Sequence, residues 1–203
     1  MIVKDTTNKL RIVVSSLVLL IALTIISSFF VAGFTTSGTV DILLNDQKYG
    51  RRALWKAQLH GDSLIPILRS HIQAISKISD YNSWVFTKYL ESVKGDSLKD
   101  FAQELIEDKN LRTKLFAIVL YTNLDKKTLK TEHHDLLKHV VCRTHPELDK
   151  NLLYSQGDLA LAAHVMATVQ VGDKQCLSDL IENNMLSPST RREVTRALDS
   201  ITE

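Results

Sequence analysis

From Ile12 to Val40 the chain carries no charged residue, and Ile12 to Phe34 is almost unbroken apolar sequence. As a helix, those 23 residues would rise about 34 Å, enough to cross a hydrocarbon core of ~30 Å. The pattern predicts a single transmembrane helix over 12–34. Thr35 to Val40 (TTSGTV) then reads as a short exit, and 41–60 as amphipathic, with Leu43, Leu44, Tyr49, Leu54, Trp55 and Leu59 set among Lys48, Arg51, Arg52 and Lys56. That segment either lies at a lipid interface or opens the folded domain.

Beyond Gly61 the period changes to that of packed helices. Leu64, Leu68, Ile72 and Ile75 form one stripe, and Leu98, Phe101, Ala102, Leu105 and Ile106 another. Further helices are predicted near 81–94, 111–123, 131–144, 147–155, 158–171, 174–184 and 188–201, the last capped by Ser187 with Pro188 at its first position. Gly-Asp recurs at 61, 95, 157 and 172. Glycine suits the end of one helix, and aspartate accepts from the free N–H groups that start the next. Short helices with tight turns predict antiparallel hairpins.

Composition agrees with an all-α chain. Among 203 residues there are 7 glycines, 3 prolines and 30 leucines, too few turn formers for an all-β or loop-rich fold. Lys4, Lys9 and Arg11 against Asp5 give residues 1–11 a net charge of +2, which accounts for the whole formal charge. The remainder is neutral, so no basic footprint for nucleic acid is present. Basic residues before the apolar run, with Lys48 alone in the 15 residues after Phe34, predict a cytoplasmic N-terminal tail at 1–11. The bulk of the chain then lies in the periplasm or outside the cell. A cleaved signal peptide ending near Val31-Ala32-Gly33 is the competing reading. Its apolar region should run only about 7–15 residues, which favours an uncleaved signal anchor.

Gly61-Asp62-Ser63-Leu64 returns 34 residues later as Gly95-Asp96-Ser97-Leu98, a spacing typical of helical repeats. Residues 158–201 resemble one and a half HEAT-type repeats. A small-residue helix closes on Val171-Gly172-Asp173, a second ends Leu180-Ile181-Glu182, and Arg191-Arg192-Glu193-Val194 through Ala197-Leu198 is similar to the family's second helix. Lys174 stands where that family usually has proline. The resemblance implies an α-solenoid-like stack of antiparallel hairpins over 61–203, a scaffold that binds other proteins, and no catalytic residues.

Several residues are candidates for chemistry. The Gly-Asp-Ser-Leu tetrapeptides match the nucleophile block of a lipase and esterase family, which would make Ser63 or Ser97 a nucleophile. His145-Pro146 matches the end of that family's last block, but Cys142 stands where its aspartate belongs, and no strand-like run precedes either serine. Asp135, His139 and Cys142, at i, i+4 and i+7, share one helix face and are legitimate zinc ligands, yet no distant ligand pair accompanies them. Cys142 and Cys176, the two cysteines, are a candidate disulfide if the domain lies outside the cytoplasm. His164 reads as a packing histidine, and Trp84 with Val85, Tyr89 and Val93 as core. No cofactor-binding signature is present.

The sequence thus predicts a membrane-anchored scaffold or accessory subunit of a membrane or envelope complex, with proteins and the lipid bilayer as partners. The alternative is a membrane-tethered hydrolase built on Ser63 or a metal at His139.

Overall fold

A computed structural model describes residues 14–23, 35–45, 50–95, 97–124, 129–142, 155–182 and 186–202. All regular structure among them is helical, with no strands. Residues 14–23 form α1. There follow α2 (Thr36–Asn45), α3 (Gly50–His60), a 3-10 turn (Gly61–Leu64), α4 (Ile65–Arg69), α5 (Ile72–Ile75), α6 (Asp80–Ser92) and α7 (Ser97–Glu107). The chain continues through α8 (Leu111–Leu124), α9 (Thr131–Cys142), α10 (Gln156–Val169), α11 (Lys174–Glu182) and α12 (Pro188–Thr202).

Among the described residues no helix is long and apolar enough to cross a membrane. The single-pass anchor over 12–34 is therefore not supported, nor is the placement built on it, with a cytoplasmic tail and a periplasmic or extracellular domain. Residues 1–13 and 24–34 lie outside the described residues. Helix α6 lies against α2, α3, α8 and α10. Helix α10 touches α6, α8, α9 and α12. The helices close around one shared core.

Within 35–60, expected as an exit, a linker and a juxtamembrane segment, residues 36–45 and 50–60 form α2 and α3. Val40, Leu43, Ala53 and Ala57 are fully or almost fully buried there. Asn82 of α6 donates from Nδ2 to the Leu44 carbonyl at 2.9 Å and fixes α2 against α6. Gly61, at φ +57°, supplies the left-handed turn that ends α3. Its carbonyl accepts from the Tyr89 hydroxyl at 2.8 Å. The stripe from Leu64 to Ile75 is broken into a 3-10 turn, α4 and α5, with Pro66 in the first turn of α4, where its missing N–H is tolerated.

The centre is built on α8 and α10. Leu115 through Tyr121 are all buried, and so are Leu161 through Val165 together with Met166. Phe116 of α8 meets Phe86 of α6 edge to face, with ring centres 4.9 Å apart. The segment expected as a helix at 147–155 falls almost wholly outside the described residues. Ser155 is the N-cap of α10.

Candidate functional site

Helix α6 is buried on the side carrying Val85, Phe86, Tyr89 and Leu90. Its N-cap, Ser79, accepts from the Asn82 N–H. The opposite side carries Tyr81, Trp84, Lys88 and Glu91. Trp84 is 51% exposed and Tyr81 46%, although the apolar pattern placed Trp84 in the core. Tyr81, Trp84 and Lys88 form one wall of a cleft of about 590 Å³. Helix α10 supplies the floor through Gly157, Ala160, Leu161 and His164, and the start of α12 closes the far side with Thr190, Arg192 and Glu193.

At the base of the cleft His164 bridges α6 and α12. Its Nε2 lies 2.5 Å from Glu91 Oε1, and its Nδ1 lies 3.1 Å from Glu193 Oε2. Hydrogen bonds to Glu193 and Glu91 raise the imidazole above its ordinary value against the effect of burial. Burial acts to raise the Glu91 carboxyl, but the hydrogen bonds from His164 and Lys88 outweigh it and hold the group at about 2. The Glu193 carboxyl is lowered mainly by its bond to His164. His164 thus sits between two carboxylates that favour its protonated form, with Lys88 2.8 Å from Glu91.

The other end of the cleft is tied by Arg112, at the start of α8. Its Nε donates to Asp158 Oδ1 at 2.5 Å, and its Nη2 to Asp80 Oδ1 at 2.7 Å and to Ser155 Oγ at 2.5 Å. Nη1 donates to the Ile78 carbonyl. Ser155 and Asp158 form a reciprocal capping box. One guanidinium therefore gathers the N-terminal ends of α6, α8 and α10. No sequence pattern marks Glu91, Glu193 or Arg112 as site residues.

The residues that were singled out lie elsewhere. Ser63 is exposed in the 3-10 turn, and its hydroxyl donates to the His60 carbonyl at 2.7 Å. Ser97 begins α7. Helices precede and follow both serines, so neither has the strand-to-helix elbow that such a nucleophile needs. His145 lies outside the described residues. Among the described residues no group of three or more His, Cys, Asp or Glu could hold a metal ion. Asp135 is exposed, His139 half-buried, and Cys142 is bonded to Cys176 with Cα atoms 5.5 Å apart. A disulfide sulfur is no thiolate ligand. The bond joins the end of α9 to α11, away from the cleft. His133 of α9 is buried and stacks on Tyr121 of α8, with ring centres 5.2 Å apart. The chain matches no protein-family model, no curated protein and no solved structure.

Proposed function

We propose that this protein is a non-enzymatic binding module, a scaffold or accessory subunit that holds a segment of another protein in the cleft between α6, α10 and α12. The observation that carries this reading is the pair of aromatic side chains, Trp84 and Tyr81, left half-exposed at the wall of a concave site. Tryptophan and tyrosine supply large contact area at little cost in conformational entropy, and they dominate the energetics of protein interfaces. The polar groups at the base are already satisfied by one another, which suits a rigid platform better than a reaction centre. His164 is held by two carboxylates and Arg112 by two more.

Selection of a displayed random-peptide library on the full chain tests the proposal. Peptides that bind the native protein should lose about 30-fold or more in affinity against Trp84→Ala, and less against Tyr81→Ala. Both side chains are exposed, so thermal midpoints of the variants should stay close to the parent's. Absence of enrichment, or binders indifferent to both substitutions, would overturn the reading.

A further inference from the structure

The charges around the cleft narrow the chemistry of its occupant. Its own carboxylates are spoken for. Asp80 is paired with Arg112, and Glu193 with His164. Lys88 is paired with Glu91. Arg192 differs from these: it is exposed and makes no ion pair or side-chain hydrogen bond among the described residues. It lines the cleft and also a second, shallower groove of about 510 Å³ on the outer face of α12, shared with Pro188, Arg191, Thr195, Arg196 and Asp199. The Arg196 side chain is 59% exposed, and its nearest carboxylate, on Glu193, is 3.9 Å away.

The two depressions therefore meet at one cation. Positions 191, 192, 195, 196 and 199 recur at helical spacing and share one face of α12. That face carries three guanidinium groups and one carboxylate, and of the arginines Arg192 and Arg196 are exposed. Guanidinium forks match carboxylates bidentately and remain charged at every relevant pH. At the other end of the track Trp84 and Tyr81 offer an apolar wall.

We infer that the occupant is an acidic segment of a partner protein. An apolar side chain rests against Trp84, and Asp or Glu side chains following it dock on Arg192 and run on toward Arg196. This inference rests on the reading of the cleft as a protein-binding site and adds the identity of what it binds. The track joins two recesses through Arg192, so its length suits an extended peptide better than a compact small molecule.

The test takes the peptides selected on the full chain and measures their affinity for the parent, Trp84→Ala, Arg192→Gln and Arg192→Glu at two ionic strengths. Acidic residues should be enriched beside an apolar one, binding should weaken as salt rises, and Arg192→Gln should cost about 10-fold. Arg192→Glu should cost more and be partly rescued by a peptide whose docking Glu is replaced by Lys. Binders that need Trp84 but show no acidic bias and tolerate Arg192→Glu would leave the cleft as a binding site and overturn the acidic occupant. Binders indifferent to Trp84 as well, or none at all, would overturn both.

Discussion

Gly157, in the first turn of α10, lies directly against Asp80 at the start of α6. A Cβ built on Gly157 would stand 2.5 Å from Asp80 Oδ1 and 2.9 Å from its Cβ. Both distances are well inside contact. The Asp80 carboxylate is meanwhile held by Arg112, so it cannot swing away without breaking that pair.

Replacing glycine by alanine in a helix ordinarily stabilises by roughly 0.5–1 kcal/mol. At Gly157 the sign should reverse, and Gly157→Ala should lower the unfolding free energy by about 1–2 kcal/mol. In an Asp80→Gly background the obstruction is gone and the same substitution should become neutral or stabilising. Urea unfolding of the four proteins in that cycle reads the coupling directly. Equal effects of Gly157→Ala in both backgrounds would refute the steric account.

Arg112 is the second point of concentration. Burial works against its charge, and Asp158 and Asp80 more than restore it. Arg112→Met removes the donor and leaves Asp158, whose side chain is only 13% exposed, without its partner. A loss of roughly 3 kcal/mol should follow. Arg112→Lys should fall between parent and Arg112→Met, because an ammonium keeps the charge but not the fork that reaches two carboxylates and the Ile78 carbonyl. A lysine variant as stable as the parent would show that charge alone suffices there.

The helical rhythm was legible because it is local. Ser187 and Pro188 announce α12, and the Thr190 N–H does bond to Ser187 Oγ at 3.2 Å. The Gly-Asp device was read more uniformly than the chain uses it. Gly61 ends α3 with a left-handed turn, but near Gly172 that conformation falls on Gln170, at φ 57°, while Gly172 makes room for Ile201 and Leu177. Gly157 begins nothing, because the capping box starts two residues earlier at Ser155. The long apolar run at 12–34 is a genuine feature of the sequence, and 14–23 are the part of it among the described residues. The site itself was the least legible part. His164 meets partners 73 and 29 positions away, and no local pattern encodes pairs so distant. Trp84 was assigned to the core because its neighbours Val85 and Tyr89 belong there.

The Cys142–Cys176 bond closes a loop with a sequence separation of 34. On the chain-entropy account a loop of that size contributes roughly 3–4 kcal/mol by restricting the unfolded chain. Cys142→Ser with Cys176→Ser should lose about that much, and a reductant should lower the parent's unfolding midpoint while leaving the double variant unmoved. The cleft is built from α6, α10 and α12, so peptide binding at 25 °C should persist in the double variant. Two alkylatable thiols in the native, oxidised chain would exclude the bond.

His164, Glu91 and Glu193 should give the protein a stability maximum in mildly acidic solution. The imidazole is raised from 6.5, so its contribution is complete below that pH and is lost as pH climbs through the higher folded value. The carboxylates work in the opposite direction. Glu91 goes from 4.5 to about 2, so its contribution is present above 4.5 and is lost as pH falls toward 2. Between about 4.5 and 6.5 both conditions hold. Lys88 on α6 and Arg196 on α12 also face the cluster. Glu91 keeps a third of its side chain in solvent, and screening there reduces the effect to the order of 1–2 kcal/mol. His164→Gln retains a polar side chain of similar reach and carries no charge. It should be less stable than the parent at pH 5.5, and the gap should narrow as pH climbs through the imidazole's raised value, because the parent loses its proton there. Thermal midpoints from pH 3 to pH 9 give both curves. If the gap is the same at pH 5.5 and pH 9, the imidazolium is not what ties α6 to α12.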